Sequence, residues 1–206
     1  MILKPSLINH RGMQFLITHA PDDDSLPIYV KVGRLPPSAR TRSLAQELQE
    51  YNVTTLVRTC ERTYNDQRLL DAGIRVYVGR GGTSQDLEFA DGAPPAKSII
   101  TTWLKIVRET FSKRKSLPDK PAAPKRMSKA AAAKYDPGLP TIAIHCVAGL
   151  GRAPVLVAIA LVEQGMDSLR AMDEVREARK NAMNNAQVEF LMKYKRKKEP
   201  SCCAVF

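Results

Sequence analysis

A short glycine-containing loop that begins at residue 146 is the feature that most constrains this chain. Residues 141–144 (Thr-Ile-Ala-Ile) are typical of a buried strand, and residues 153–161 begin like a helix with proline in its first turn. Between them, two glycines relax the backbone, so successive N–H groups and the positive end of the helix dipole can converge on a tetrahedral anion. The sequence therefore predicts an oxyanion-binding loop between a strand and a helix.

The two ends of this loop carry a thiol and a guanidinium. The helix terminus stabilises a thiolate at Cys146, and the planar fork of Arg152 matches two phosphate oxygens. His145 precedes the thiol, where its side chain can hydrogen-bond the loop. A small core cysteine and a surface arginine are the alternative, which the coincidence of several features disfavours. The other predicted phosphate-binding positions are the residues between them: Val147, Ala148, Gly149, Leu150 and Gly151.

This pattern is the Cys-x5-Arg signature of cysteine-dependent phosphatases. Its longer form, residues 145–158, closely resembles the phosphatases of regenerating liver, the prenylated dual-specificity PRL family. Residues 15–19, 53–61, 91–95 and 203–206 are similar to the same family, in the same order. The resemblance implies a cysteine-phosphatase fold without a cofactor. It also implies hydrolysis of phosphotyrosine, with phosphoserine and phosphothreonine as further candidates, through a phosphocysteine intermediate.

Alternating strand and helix patterns predict an α/β fold, with a mainly parallel central sheet flanked by helices. The predicted strands lie near residues 13–18, 28–32, 53–59, 74–78 and 141–145. The predicted helices lie near residues 38–51, 96–113, 153–165, 167–181 and 184–195. Ligands of such sheets bind beyond the carboxyl ends of the strands, where Cys60 and Cys146 should both lie. We expect one phosphatase domain over residues 1–192 and a tail over residues 193–206.

A segment at about residues 113–138 differs from the rest of this domain. It combines four prolines with many lysines and alanines and almost no large apolar residue. We therefore expect a mobile basic insertion rather than a further domain. A solvated linker without a role and a contact to lipid or a partner are both consistent with that composition.

The leaving group of a phosphate ester needs a proton donor, for which Asp91 is the candidate. Glycine and paired prolines around it make a shaped but movable loop before a helix, and the resemblance implies the same role. The family usually has Trp-Pro-Phe-Asp-Asp-Gly there, whereas residues 87–92 are Leu-Glu-Phe-Ala-Asp-Gly. The sequence leaves open whether this loop closes, whether Glu88 is the proton donor instead, and whether Asp91 is only an ordinary turn residue.

Further site residues follow from the resemblance. Ala153 stands where most cysteine phosphatases have Ser or Thr, so we expect phosphocysteine to accumulate and turnover to be slow. Cys60 is implied as a redox partner that resolves oxidised Cys146 as a disulfide; a buried structural thiol is the alternative. Weaker candidates for the pocket, each equally consistent with a solvated or helix-capping residue, are Gln187, Arg58 and Glu61.

The last four residues, Cys-Ala-Val-Phe, fit the prenylation pattern at Cys203, with a final phenylalanine that favours geranylgeranyl. One lipid chain binds membranes weakly, so a basic run that attracts anionic lipids would supply the second signal. That run contains Lys193, Lys195, Arg196, Lys197 and Lys198. Cys202 is an alternative site for palmitate. We expect the chain at the cytoplasmic face of membranes, with a cytosolic pool.

The net charge of +11 indicates an anionic partner. Aromatic residues make up only 6% and are not interleaved with the basic ones, which disfavours nucleic acid. Four cysteines without a Cys-x2-Cys pair predict neither a metal site nor a disulfide scaffold. The longest apolar run, residues 153–162, is shorter than the roughly 20 residues of a membrane span, and no secretory signal is recognisable.

The predicted partners are therefore a phosphoprotein substrate and anionic lipids; self-assembly stays open. The resemblance also implies an alternative role, as an interaction protein for a cyclin M-type magnesium transporter with phosphocysteine as the switch. A phosphoinositide phosphatase is less favoured because Val147, Ala148 and Leu150 supply no lysine. A rhodanese-like sulfurtransferase shares the thiol loop, but Asp91 and Arg152 disfavour it.

Overall fold

A five-stranded sheet organises the chain. The computed structural model describes residues 4–20, 48–77, 87–112 and 129–196. The strands are β1 (Ser6–His10), β2 (Met13–Thr18), β3 (Val53–Arg58), β4 (Arg75–Val76) and β5 (Thr141–His145). Their order is β1-β2-β5-β3-β4, with β1 antiparallel to β2 and every other pair parallel. The predicted mainly parallel sheet is confirmed, and β5 is its central strand.

Helices cover both faces of this sheet. They are α1 (Gln67–Asp71), α2 (Lys97–Ser112), α3 (Lys129–Lys134), α4 (Arg152–Glu163), α5 (Ser168–Ala178) and α6 (Asn185–Lys193). Residues 48–50 are also helical. The helices predicted near residues 96–113, 153–165, 167–181 and 184–195 correspond to α2, α4, α5 and α6. None of the helices in the described ranges is long and apolar enough to cross a membrane.

Side chains along β5 alternate between the two faces of the sheet, and each face has its own part of the apolar core. Ile142 and Ile144 belong to the apolar cluster that includes α2, α4, α5 and α6, whereas Ala143 belongs to the cluster on the opposite face. Helix α4 is buried from Arg152 to Val162 because it packs between the sheet and the other helices of its side. An apolar sequence without a polar face fits such a central helix. The loop before α4 therefore leads into a fully buried helix.

The sequence prediction missed β1, which pairs with β2 through a two-residue turn. Arg11 and Gly12 both have positive φ angles, of 49° and 79°, as the favoured hairpin turns require. Arginine is an uncommon residue for the first of these positions, so the usual Asn-Gly or Asp-Gly signal is absent. Strand β4 is shorter than predicted, since only Arg75–Val76 pairs with β3.

The structure differs from the expected mobile insertion over residues 129–138. Helix α3 forms there, and Lys134 makes an ion pair of 2.6 Å with Glu174 of α5. Tyr135 is buried and donates a hydrogen bond of 3.2 Å to the carbonyl of Glu50. One aromatic side chain thus anchors the end of a segment whose composition is otherwise that of a linker. The rest of the insertion, the predicted strand near 28–32 and most of the predicted helix near 38–51 lie outside the described residues.

Candidate active site

The loop over residues 146–151 leaves the carboxyl end of the central strand. Thr59 donates two hydrogen bonds to the carbonyl of His145, from its N–H (3.0 Å) and its hydroxyl (2.8 Å). These bonds join the ends of β3 and β5, so Cys60 and Cys146 follow adjacent parallel strands at one edge of the sheet. Both thiols are buried, at 1% and 2% exposure. The structure therefore places the two cysteines where the sequence predicted them.

Hydrogen bonds from outside the loop hold five consecutive carbonyls of its backbone. Backbone N–H groups donate to three of these carbonyls: Ala20 to Val147 (2.9 Å), Met183 to Leu150 (2.7 Å) and Val155 to Gly151 (3.2 Å). The side chain of Arg179 donates to the other two, from Nη2 to the carbonyl of Ala148 (2.9 Å) and from Nε to that of Gly149 (3.0 Å). Carbonyls fixed in this way are turned away from the loop interior. The N–H groups of the same peptide units are then left for a bound anion, because N–H and C=O of a trans peptide point in opposite directions.

The start of α4 adds its own N–H groups to this loop. Gly151 is the N-cap of the helix, and no side chain accepts a hydrogen bond from its first turn. Helix starts of this kind attract anions. Gly149 has a φ of +69°, and a Cβ at that position would lie 2.3 Å from the carbonyl oxygen of Thr18. Glycine is therefore required at this point of the turn.

Arg152 and Asp91 meet at the rim of the loop. Arg152 donates from Nη1 to the carbonyl of Phe89 (3.2 Å), and its Nε lies 3.3 Å from Oδ1 of Asp91. The arginine side chain is 8% exposed, whereas that of Asp91 is 80% exposed. The structure thus brings together Arg152, Asp91 and the loop that begins at Cys146, as the sequence predicted.

The turn that carries Asp91 is tied to the start of α6. Asn184 donates from Nδ2 to the carbonyl of Gly92 (3.0 Å), and Gln187 donates from Nε2 to the carbonyl of Ala93 (3.3 Å). The same two side chains form the capping box of α6. Gln187 therefore caps a helix and also borders the site.

A buried polar network lies behind the loop. The hydroxyl of Tyr64 is 2.7 Å from Nε2 of His145, and the guanidinium of Arg58 lies over the Tyr64 ring at 5.0 Å. Arg58 also makes a 3.0 Å ion pair with Asp66. Burial lowers the pKa of His145 from 6.5 to about 3 and raises the pKa of Tyr64. His145 is therefore neutral at physiological pH, and Arg58 stands in this network rather than in the pocket wall.

Two adjoining cavities open at the site. The smaller, of about 310 Å³, contains Cys146 and loop residues together with Asp91, Asn184 and Gln187. The larger, of about 700 Å³, is lined by Cys60, Glu61, Thr63, Glu88, Phe89, Ala90, Asp91, Val147 and Arg152. Glu61 is thus a wall residue, as the sequence suggested. Among the described residues, no group of three or more histidine, cysteine or acidic side chains is placed to hold a metal ion.

Arg179 and Tyr64 are two residues at this site that the sequence prediction missed. Both are buried and contact the loop or the histidine before it from distant parts of the chain. The only sequence signal is an arginine at the end of an amphipathic helix and a tyrosine in a polar segment. Neither pattern by itself indicates a site.

Comparisons with known proteins agree on one family. A protein-tyrosine phosphatase family model matches residues 110–195. A type IVA protein tyrosine phosphatase of Dictyostelium discoideum is 39% identical and aligns with 96% of this chain and 91% of its own length. The PRL-1 phosphatase of Drosophila melanogaster is 35% identical, over 94% of this chain and 84% of its own. A solved protein tyrosine phosphatase of Leishmania major is 33% identical with a TM-score of 0.66, over 94% of this chain and all of its own. The chain therefore belongs to the PRL, or type IVA, family of protein tyrosine phosphatases.

Proposed function

We propose that this phosphatase hydrolyses phosphotyrosine in proteins through a phosphocysteine at Cys146. The thiolate attacks phosphorus, the bond between phosphorus and the tyrosine oxygen breaks, and Asp91 gives its proton to that oxygen. Water then attacks the phosphocysteine and loses its proton to the Asp91 carboxylate. Inorganic phosphate leaves, and the thiolate of Cys146 is restored.

The observation that carries this proposal is the set of loop carbonyls held away from the loop interior. Hydrogen bonds within the protein hold five consecutive peptide units, so their N–H groups are oriented to receive phosphoryl oxygens. Arg152 adds a nearly buried guanidinium at the same rim. Its two-pronged geometry suits two equatorial oxygens of the transferring group.

An aryl phosphate fits the cavities better than a phosphoinositide. Val147 lies between the two cavities and is 60% exposed, so an aromatic ring attached to the phosphate can pack on it. The larger cavity is lined by the carboxylates of Glu61, Glu88 and Asp91. These charges would repel the further phosphates of an inositol headgroup. Phosphoserine and phosphothreonine, which bring no ring to Val147, are proposed as poorer substrates.

Matched phosphopeptides test this substrate class. We expect hydrolysis of a phosphotyrosine peptide to exceed that of its phosphoserine and phosphothreonine counterparts and that of a soluble phosphoinositide headgroup. Cys146→Ser should abolish all of these activities. Preference for the phosphoinositide, or hydrolysis that persists in Cys146→Ser, would contradict the proposal.

Slow turnover belongs to the same proposal. Ala153 follows the arginine and is fully buried, so no hydroxyl at this position assists departure of the thiolate from phosphocysteine. Rapid-quench kinetics should then show a burst near one equivalent, and Ala153→Ser should speed the steady state.

An interaction protein for a magnesium transporter, switched by that phosphocysteine, is the second candidate. Its partner should still bind Asp91→Ala, although turnover is lost. If substitutions in the catalytic cleft never weaken binding, and binding disappears only when the protein unfolds, the partner does not contact this cleft.

A redox switch between Cys60 and Cys146 is proposed from their positions on adjacent strand ends. Oxidised Cys146 would be attacked by the second thiol, which forms a disulfide and releases water. Peptide mapping without reductant, after mild peroxide, should recover the cross-linked pair. Recovery of sulfinic Cys146 with intact Cys60 would exclude the switch.

Membrane attachment is proposed through a prenyl group at Cys203, which lies outside the described residues. Lys193, Lys195 and Arg196 are exposed at the end of α6, where they can add attraction to anionic lipid. Cys203→Ser should move the protein from membranes to the cytosol. Cys202→Ser serves as the matched control, and membrane association that depends on Cys202 instead would indicate palmitate.

A further inference from the structure

We propose that Arg179 is a positioning residue that sets the phosphate-binding form of the loop; this rests on the proposed function. Helix α5 ends at Ala178, and Arg179 follows in an extended conformation with φ −135° and ψ 91°. The change of direction carries its side chain toward the loop. The residue is 3% exposed, so its guanidinium lies within the protein and not in solvent.

Three hydrogen bonds fix this guanidinium. Nη2 donates to the carbonyl of Ala148 (2.9 Å), Nε to that of Gly149 (3.0 Å) and Nη1 to that of Lys4 (2.7 Å). Two neighbouring donors of one rigid plane therefore hold two consecutive loop carbonyls. Lysine has no such pair of donors at a fixed spacing.

The geometry of the peptide unit makes this contact relevant to phosphate. The carbonyl of Ala148 shares its plane with the N–H of Gly149, and the carbonyl of Gly149 shares its plane with the N–H of Leu150. Holding both carbonyls on Arg179 directs both N–H groups to the opposite side, toward the loop interior. Gly149 permits the approach, because a Cβ there would lie 2.6 Å from Nη2 of Arg179.

Arg179 also contributes charge to the site. Within the described residues it makes no ion pair with a carboxylate, so its positive charge is not locally neutralised. Burial lowers its pKa, and the thiol of Cys146 acts in the opposite direction. A guanidinium stays protonated at neutral pH despite such a shift. Its field therefore favours the thiolate and the bound oxyanion from below the loop, while Arg152 does so from the rim.

Vanadate inhibition and thiol alkylation test this role. Arg179→Met should weaken vanadate inhibition by roughly tenfold or more, the effect expected when buried hydrogen bonds to a charged group are lost. It should also move the pH profile of iodoacetamide alkylation at Cys146 to higher pH. Arg179→Lys should fall between wild type and Arg179→Met, since it restores charge but not both carbonyl contacts. Arg170→Met, which removes an exposed charge from the helix that precedes Arg179, is the matched control and should behave as wild type.

The outcomes separate this inference from the proposed function. Arg179→Met with wild-type vanadate inhibition and an unchanged alkylation profile would overturn it, even if the variant unfolds at a lower temperature. If Arg179→Met does not fold, wild-type vanadate inhibition of Arg179→Lys would overturn it equally. Failure of wild-type protein to bind vanadate would instead contradict the proposed function.

Discussion

Asp91 and Arg152 form an ion pair across the rim of the loop, with Oδ1 3.3 Å from Nε. The chain lacks the tryptophan and proline that the family usually has before this aspartate, yet the turn is held over the loop. Its carbonyls at Phe89, Gly92 and Ala93 accept hydrogen bonds from the side chains of Arg152, Asn184 and Gln187, respectively. Three side-chain contacts thus fix the turn that carries Asp91.

Asp91→Asn should lower kcat/KM, which reports the formation of phosphocysteine, by about 10²-fold or more for phosphate esters with poor leaving groups, because it removes the proton donor. The loss should be much smaller for an activated aryl ester, whose leaving group departs without a proton. A leaving-group series for each variant measures this dependence. Glu88→Gln is the comparison, as this carboxylate lines the same cavity. A stronger leaving-group dependence in Glu88→Gln would assign the acid to Glu88 instead.

Asn184→Ala should impair the same proton-transfer step indirectly. It removes the bond to Gly92 and the N-cap of α6, so stability should fall by about 0.5–2 kcal/mol and the Asp91 turn should loosen. Asp167→Ala removes the N-cap of α5, far from the Asp91 turn, and should cost similar stability. Urea unfolding and the leaving-group series on both variants compare the two effects. Equal loss of kcat/KM in both would refute a specific role of Asn184.

Gly149→Ala should abolish phosphate binding, whereas Gly73→Ala should not. Both glycines have positive φ angles, of 69° and 77°, but only a Cβ at residue 149 meets other atoms, including the Thr18 carbonyl oxygen at 2.3 Å. The left-handed conformation alone costs an alanine about 1–2 kcal/mol. Urea unfolding of Gly73→Ala should show a loss of stability of that size. Gly149→Ala should lose more stability than Gly73→Ala, and it should no longer be inhibited by vanadate. Tight vanadate inhibition of Gly149→Ala would show that the loop tolerates a different path.

Stability should fall as the pH drops below the ordinary histidine pKa. Burial holds the pKa of His145 at about 3 in the folded chain, against 6.5, so acid protonates the unfolded chain first. Protonation of this one residue in the unfolded chain should lower the free energy of unfolding by about 1.4 kcal/mol when the pH falls from about 7.5 to about 5.5. The pKa of His10 is lowered too, so the effect of His145 is isolated by comparison with His145→Gln. Equal pH dependence of both proteins in urea unfolding would contradict a neutral, buried His145.

The loop could be predicted from sequence because its determinants are local. A strand, a thiol, two glycines, an arginine and a helix start occupy one continuous stretch, and each has its own physical signature. The mainly parallel sheet was also predictable, from the alternation of strand and helix patterns. The turn that carries Asp91 was predictable because a glycine and two prolines follow the aspartate before a helix.

The hydrogen bonds that hold the loop and its preceding histidine could not be predicted, because they join residues that are far apart in the sequence. Arg179 lies 31 positions from Ala148 and 175 from Lys4, and Tyr64 lies 81 positions from His145. No local pattern distinguishes these buried polar side chains from solvated ones. The hydrogen bonds from Asn184 and Gln187 to the Asp91 turn are equally long-range, so the position of this turn could not be decided from its own residues.

The most direct test of the account is the location of the phosphoryl group during turnover. The protein should be mixed with an aryl phosphate, denatured at alkaline pH within the first turnover and digested for peptide mapping by mass spectrometry. We predict one phosphoryl group on the peptide that contains Cys146, present in Asp91→Asn with an activated ester and absent from Cys146→Ser. Turnover of the ester without any phosphorylated Cys146, or a phosphoryl group on another residue, would contradict the account.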